Sequence, residues 1–487
     1  LMVEGNLLPP MGVLKIILMA TETIVRESEN LTMDDVVIEN LQSSIRGKVI
    51  RRDDPSYEEE RKVYNGMIDK KPLMIIKCRD IADVIAAIQF GKEHRLIITV
   101  RGGGHSAGGI SLRDNGLVID LSLMRGMFVD LMKNTIRVEG GCLLGDVDHA
   151  TQPFGMAVPS GIFSTTGISG LTLGGGLGHL TRAYGLTIDS LLEAEVVLAD
   201  GRLVSASAES NSDLFWAIRG GGGNFGVVVS FLFRMNPAGT VFGGPMLWHL
   251  KDGETIMKFY RDFILNAPNE VYGYFAFLTV PPVPLFPVDL HLKKMCGILW
   301  CVLGEKEEAS KSVNAFRELV TPALDYTGEL PYSSLQKMFD PLYPKGLQWY
   351  WKADFVRELS DEAIQLNMKY AERLPTPHSS MHLYPINGAA HRVNNEETAF
   401  AYRDANWAQV IVGVDPDPGK RDILTTWTKE YWEALHPFSA GGAYINFMME
   451  EGSDRVKASY RGNYEKLSKI KRHYDPENVF AVNIEPQ

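Results

Sequence analysis

Cysteine is scarce: Cys78, Cys142, Cys296 and Cys301 are the four in 487 residues, and no two share C-x-x-C spacing. That excludes a disulfide scaffold and leaves four thiols that read as buried. A long Lys/Arg run is also missing. The 49 basic and 60 acidic residues give a net charge of -11, with the basic ones scattered, so a nucleic-acid partner is not expected. None of the 11 histidines forms an i, i+4 pair with an acidic neighbour, and no metal site is expected. No apolar run reaches the ~20 residues that cross a bilayer, so no membrane association is expected. The stretch Gly12 to Ala20 is interrupted by Lys15 and lacks a small-x-small cleavage site. The reading is therefore a cytoplasmic protein, with secretion as the alternative.

What is present suits a globular chain. Hydrophobic residues make up 45% and charged residues 22%, enough to bury several apolar cores. The length is roughly three times the ~150 residues typical of one domain, so two or three cores are expected. Residues 1–35, with Met11, Met19 and Met33 as alternative starts of translation, read as an extension outside the core.

Further on, Asp80 is placed to cap a helix whose Ile81, Val84, Ile85 and Ile88 share one face. A β-branched run, Leu96 to Val100, then leads directly into Arg101-Gly102-Gly103-Gly104-His105-Ser106. Strands are expected at Leu117 to Leu121, Thr135 to Val138, Glu195 to Ala199 and Val227 to Phe233, with Asp200-Gly201 turning a hairpin into Arg202 to Ser205. After Met235 the small residues thin out. Aromatic strands follow at Val271 to Val280, Trp349 to Val356 and Trp407 to Val414, interleaved with helical stripes such as Ile423, Leu424, Trp427, Tyr431 and Leu435. That texture predicts an antiparallel sheet with helices on one side. A last stripe, Tyr464, Leu467, Ile470 and Tyr474, stops at Asp475-Pro476.

Glycine is the one residue in excess, 46 of 487, and it clusters at Arg101 to Gly109, Gly167 to Gly178 and Arg219 to Gly226. Successive free N–H groups in glycine turns make concave anion sites that suit a pyrophosphate. One such cluster is equally a set of tight turns; three together point to a dinucleotide. The Gly174-Gly175-Gly176-Leu177-Gly178 run is not a Rossmann fingerprint, because no strand precedes it. Strand, glycine loop, strand instead fits a cofactor laid between small sheets. His105, directly after the first loop, stands out from the ordinary run of packed histidines.

These runs, together with Pro159-Ser160-Gly161, Arg182-Ala183-Tyr184-Gly185-Leu186, Asp213 to Gly220, Asn224 to Val228, Tyr444-Ile445-Asn446-Phe447, Asn463-Tyr464 and Asp475 to Phe480, resemble the berberine bridge enzyme-like flavoproteins of the vanillyl-alcohol oxidase superfamily. The likeness runs from about residue 70 to the end. It implies an α+β fold with a two-part PCMH-type FAD domain and an inserted substrate domain: 36–236 and 439–487 for FAD, 237–438 for an antiparallel sheet with helices. The resemblance assigns FAD to Arg101, Gly102, Gly103, Gly104, His105 and Ser106, then Gly161, Thr165, Gly167 and Gly170, then Gly174, Gly175, Gly176 and Gly178, then Gly226 and Val227. From the tail it adds Tyr444, Asn446 and Asn483. It also implies that His105 bonds covalently to the flavin 8α-methyl carbon.

The sequence departs from the family twice. Many relatives carry a second, cysteinyl link at the position occupied here by Phe163, so a single link through His105 is expected. Oligosaccharide oxidases of the family have a catalytic Tyr where Phe447 stands, and phenylalanine accepts no proton. The proton acceptor is sought in Tyr184, Tyr444 or Lys352, each with a packing role as the alternative; His382, His391 and Arg403 are weaker pocket candidates. The resemblance implies hydride transfer from a small alcohol or amine to FAD, then to O2 with release of H2O2. Ile168, at the family's oxygen-access position, is bulky and keeps open a dehydrogenase with another acceptor. Phe447 keeps open a flavin-binding protein without catalysis. The sequence does not specify the oligomeric state.

Overall fold

The computed structural model describes residues 33–481. Met11, Met19, the stretch Gly12 to Ala20 and Asn483 lie outside them. Four short strands, β1 (Lys48–Arg51), β2 (Met74–Lys77), β3 (Ile98–Arg101) and β4 (Leu117–Asp120), form a sheet in the order β1-β2-β4-β3. β4 runs parallel to both β2 and β3. β2 and β3 flank β4 and run the same way, so the chain must cross back between them, and helix α1 (Ile81–Glu93) makes that crossover. Its start is where the sequence places it: the Asp80 carboxylate accepts from the Asp83 N–H at 3.1 Å.

Strands β5 (Met127–Asp130), β6 (Thr135–Glu139), β7 (Met156–Ala157), β8 (Leu191–Val197), β9 (Leu203–Ser207) and β10 (Val227–Arg234) follow. Except for β7 they make an antiparallel sheet ordered β5-β6-β10-β8-β9, and Gly201, at φ +84°, turns the β8-β9 hairpin. β7 pairs with β11 (Asn236–Pro237). Between the β3 and β10 regions lies the short helix α2 (Ile168–Leu173), flanked by glycine loops.

From β12 onward the chain builds one large antiparallel sheet. Its strands are β12 (Thr240–His249), β13 (Val271–Thr279), β14 (Lys294–Val302), β15 (Leu324–Asp325), β16 (Gly328–Pro331), β17 (Gln348–Val356), β18 (Ser380–Pro385) and β19 (Trp407–Asp415). They are ordered β15-β12-β14-β13-β18-β19-β17, with β16 also on β12. Helices α3 (Gly253–Asn266), α4 (Lys306–Leu319), α5 (Asp361–Ala371) and α6 (Arg421–Leu435) cover one face, burying Ile256, Phe316, Ile364 and Trp427 against Phe275, Ile298, Met381 and Ile411. The opposite face looks toward the glycine loops. Strand pleating divides the side chains between the faces, so that Trp349 and Trp351 of β17 turn inward while Tyr350 and Lys352 turn to the helices.

The tail returns to the first half. After α7 (Ser453–Tyr460), helix α8 (Tyr464–Tyr474) packs beside the helix Ser212–Ile218. Its buried Lys471 ammonium donates to the carbonyls of Asn224 at 2.8 Å and Phe480 at 3.2 Å while pairing with Asp475 at 2.7 Å. The ammonium thereby holds the third glycine cluster against the tail. The α+β class and the helices on one side of an antiparallel sheet match the sequence reading.

Candidate active site

Between the glycine loops and the inner face of the large sheet runs a cavity of about 260 Å3. One wall is backbone: Gly102 to Ser106, Gly161, Gly167 and Gly170, and Gly222 to Asn224. The other is aromatic, with Tyr343, Trp349, Trp351, His382, Tyr384 and Phe447. Among the described lining residues there is no Asp, Glu, Lys or Arg.

The backbone wall is held by a close approach that only glycine permits. A Cβ on Gly103 would stand 2.3 Å from the Gly167 nitrogen, and one on Gly167 would stand 2.2 Å from the Gly103 nitrogen. Two loops from distant parts of the chain are thus pressed backbone to backbone. None of the N–H groups from Gly102 to Ser106 meets a protein acceptor among the described residues. A Cβ on Gly170 would touch nothing within 4 Å, so packing does not require that glycine; a side chain there would stand in the cavity. Free amides, space above Gly170 and an absence of carboxylates fit a bound diphosphate dinucleotide.

His105 sits at the junction of the two walls. Its ring is stacked on Tyr64, with centroids 3.8 Å apart and planes 19° apart, and its Nε2 lies 3.0 Å from Thr165 Oγ1. Burial lowers its pKa from 6.5 to about 3, so at neutral pH the imidazole is uncharged and holds a free electron pair. Thr165 itself faces a neighbouring cleft with Arg101, whose guanidinium is tied to Asp120 and to the carbonyl of Glu60. Arg101 braces the loop from behind; it does not line the cavity.

Other expected cofactor residues lie a layer back. Gly174, Gly175, Gly176 and Gly178 form a packed turn: a Cβ on Gly174 would stand 2.3 Å from the Asn446 amide oxygen, and one on Gly178 would stand 1.9 Å from the Ser160 carbonyl. Tyr444 and Asn446 do line the cavity, and they clasp that turn. The Tyr444 oxygen accepts from the Gly176 N–H and from Asn446 Nδ2, each at 2.8 Å, while Asn446 Nδ2 also donates to the Leu171 carbonyl at 3.0 Å. Gly226 precedes β10 and Val227 opens it, fully buried in the core beneath the small sheet.

The three expected proton acceptors are not set up as bases. The Tyr184 hydroxyl donates to the Pro237 carbonyl at 2.7 Å and lies outside the cavity, with burial raising its pKa. Lys352 faces away from the cavity; its ammonium meets the buried Glu451 at 2.9 Å and lies 4.8 Å above the Trp432 ring. Tyr444 touches the cavity, yet burial raises its pKa and outweighs its two hydrogen-bond donors. Among the weaker candidates, Arg403 forms a buried two-pronged pair with Asp189, both contacts 2.7 Å, and His391 bonds the Ala405 carbonyl at 2.8 Å. Both are structural ties outside the cavity. His382 does line it, its Nδ1 2.6 Å from the Tyr384 hydroxyl. Phe163 and Phe447 are lining residues, whereas Ile168 is fully buried in the core.

Sequence reasoning missed Tyr64, Tyr343, Tyr384 and Gly222 to Asn224. The last sit inside the third glycine cluster. Tyr384 alternates with His382 and Ser380 along β18, a period-2 signal that marks one strand face. Tyr64 has no local signal at all.

Comparisons with known proteins agree with this geometry. A family described as an FAD binding domain matches residues 72–207, and a second, described as berberine and berberine like, matches residues 443–484. The FAD-linked oxidoreductase YgaK of Bacillus subtilis is 32% identical over 447 residues, covering 90% of this chain and 96% of its own. The structure of BBE-like 1 from Physcomitrella patens superimposes with a TM-score of 0.84 at 25% identity, covering 93% of this chain and 99% of that one. Glucooligosaccharide oxidase from Acremonium strictum, described with a 6-S-cysteinyl, 8α-N1-histidyl FAD, gives 0.81 at 25% identity and the same coverage. A cavity walled by free glycine amides on one side and by an aromatic sheet on the other has room and donors for the FAD that these relatives bind. The chain belongs to the berberine bridge enzyme-like family of FAD-linked oxidoreductases and uses FAD.

Proposed function

We propose that the protein is an oxidase that removes a hydride from a small alcohol or amine and passes the electrons to O2, giving H2O2, with FAD joined to the chain through His105 alone. In this reading the FAD domain comprises 36–236 and 439–487, and 237–438 carries the substrate wall. FAD would be held by the Gly102 to Ser106, Gly161 to Gly170 and Gly222 to Asn224 backbone and by the tail residues Tyr444 and Asn446. Bound FAD supplies a two-electron acceptor. The chain supplies a neutral imidazole beside the loop, a water-poor cavity and an aromatic wall that excludes charged substrates.

The observation that carries the reading is His105: a half-buried ring stacked on Tyr64 and open to a cavity whose neighbouring backbone amides are free, with desolvation favouring its neutral form. A neutral imidazole nitrogen is the form that adds to an electrophilic flavin methyl carbon. The Phe163 side chain, which lines the cavity, offers no second nucleophile, whereas glucooligosaccharide oxidase carries a 6-S-cysteinyl as well as a histidyl FAD link.

Two measurements test it. Acid precipitation should leave a yellow pellet whose chain mass includes one FAD, and His105→Ala should lose it; a colourless wild-type pellet overturns the tether. Anaerobic mixing with a panel of alcohols and amines should bleach the flavin band, and air should restore it with one H2O2 per turnover. Reoxidation only by an added dye would make the protein a dehydrogenase instead.

A further inference from the structure

We propose that His382 and Tyr384 form the proton-accepting pair of this active site and fit it to a neutral alcohol. This rests on the flavin oxidoreductase reading above and narrows its substrate. Proton removal is needed when a hydroxyl-bearing carbon loses hydride, and the cavity has few groups to take it. No carboxylate or amine side chain lines it among the described residues. Its phenols, Tyr343, Tyr384 and Tyr444, are all pushed up by burial and stay protonated at neutral pH. Of the two lining imidazoles, His105 is committed to the cofactor loop. His382 remains.

Its geometry suits the role. Ser380, His382 and Tyr384 alternate along β18, so all three project from the inner face. The His382 Nδ1 is 2.6 Å from the Tyr384 hydroxyl, and neither group has another hydrogen bond among the described residues. Burial lowers the His382 pKa to about 4, so the ring is neutral; the pair requires the tautomer in which Nδ1 accepts the Tyr384 hydroxyl proton and Nε2 carries the ring's own. The groups facing His382 are uncharged: Tyr274 from β13 at 5.3 Å between centroids, Tyr384 from its own strand, and Val410 as its register partner on β19. Tyr384 in turn packs against Phe447, with centroids 5.7 Å apart. The hydroxyl that Phe447 lacks is therefore presented beside it, from the sheet instead of the tail.

The step balances as follows. The substrate O–H bond breaks and its proton passes to the Tyr384 oxygen, while the Tyr384 proton moves to Nδ1 of His382. The carbinol carbon gives its hydride to FAD and the alcohol becomes a carbonyl compound. His382 would be left as an imidazolium; a bound flavin that has taken up the hydride would bring negative charge into the same cavity, which would offset the burial that otherwise makes His382 a weak base. A cationic amine would enter a cavity with no anion to meet it, so a neutral alcohol is selected.

The test uses the flavin-loaded protein, a panel of neutral aryl and alkyl carbinols, and two variants, His382→Asn and Tyr384→Phe. With any carbinol that bleaches the wild type, each variant should slow anaerobic bleaching by about 100-fold or more, the usual size of general base assistance. Flavin content and far-UV circular dichroism should be unchanged in the conservative Tyr384→Phe. The wild-type kcat/KM should fall on acidification with a limb near pH 4 that His382→Asn abolishes. Independently of turnover, 15N-histidine NMR should give a signal, missing in His382→Asn, that stays neutral and Nε2-protonated at pH 6 and changes tautomer balance in Tyr384→Phe. Bleaching within twofold of wild type in both folded variants, or an imidazolium signal for His382 at pH 6, overturns the pair while leaving the oxidoreductase reading intact. If no carbinol bleaches the wild type but amines do, the alcohol assignment and the pair fall together.

Discussion

Tyr64 lies face to face with His105, the ring centroids 3.8 Å apart, while its hydroxyl is tied to the Tyr343 carbonyl at 2.7 Å. The stack fixes the imidazole plane without adding charge. Aromatic pairs contribute about 0.5–1.5 kcal/mol beyond burial, which corresponds to about two- to tenfold in the rate of a step that needs that orientation. Tyr64→Leu should slow covalent attachment of FAD to the apoprotein by about that factor, read as the flavin retained after acid precipitation at timed intervals. Tyr64→Phe keeps the ring and should attach at the wild-type rate; equal rates for Leu and Tyr would leave the stack without a role.

The contrast between Tyr64 and His105 shows what the sequence could reveal. His105 follows directly from a β-branched run and three glycines, so its setting is local and legible. The helix at Asp80 and the Asp200-Gly201 hairpin are legible for the same reason: capping and turn chemistry act over a few residues. Tyr64 reaches His105 through a loop contact 41 positions away in the chain, and Lys352 acquires its partner Glu451 from the tail; neither contact leaves a periodic trace. Lys352 illustrates the cost. Its neighbours Trp349 and Trp351 line the cavity, and only the period-2 rule applied from them would have turned Lys352 to the helices.

Lys352 therefore separates a structural reading from a catalytic one. Its ammonium pairs with Glu451, which is 2% exposed, and lies over Trp432. Removing one member of a buried pair typically costs 3–5 kcal/mol, and Arg455, 3.4 Å from the same carboxylate, compensates part of it. Lys352→Met should lose about 2–3 kcal/mol of unfolding free energy in denaturant melts. Bleaching rates measured well below the new melting point should keep the wild-type pH profile. A lost basic limb in that profile would restore Lys352 to the chemistry.

Phe163 lines the cavity and packs edge-on against Tyr343, with centroids 5.8 Å apart. By resemblance it occupies the position of the cysteinyl link. Phe163→Cys should place a thiol within reach of the flavin, so that a His105→Ala, Phe163→Cys double variant keeps FAD through acid denaturation while His105→Ala alone does not. Peptide mapping should then find the flavin on residue 163 at its C6 carbon. A double variant that releases all its flavin would mean that this wall does not approach the ring.

His179 is 1% exposed, stacked at 6.2 Å on Tyr274 and edge-on at 5.8 Å to Tyr272, and neither ring nitrogen has a hydrogen-bond partner among the described residues. Burial lowers its pKa from 6.5 to about 3. Between those two values the unfolded chain binds a proton that the folded chain refuses, so stability falls as the pH drops through that window and is unaffected above it. At pH 5 the linked cost is about 1.5 pH units, or about 2 kcal/mol. His179→Phe keeps an aromatic ring and removes the titration. The variant's unfolding free energy relative to wild type should rise by about 2 kcal/mol between pH 8 and pH 5, followed by urea melts at both values. Using the difference between two pH values cancels the packing change, which is the same at each. A variant whose acid lability matches the wild type would show that His179 takes up its proton in the native state, through an opening that admits water to the space behind Tyr274.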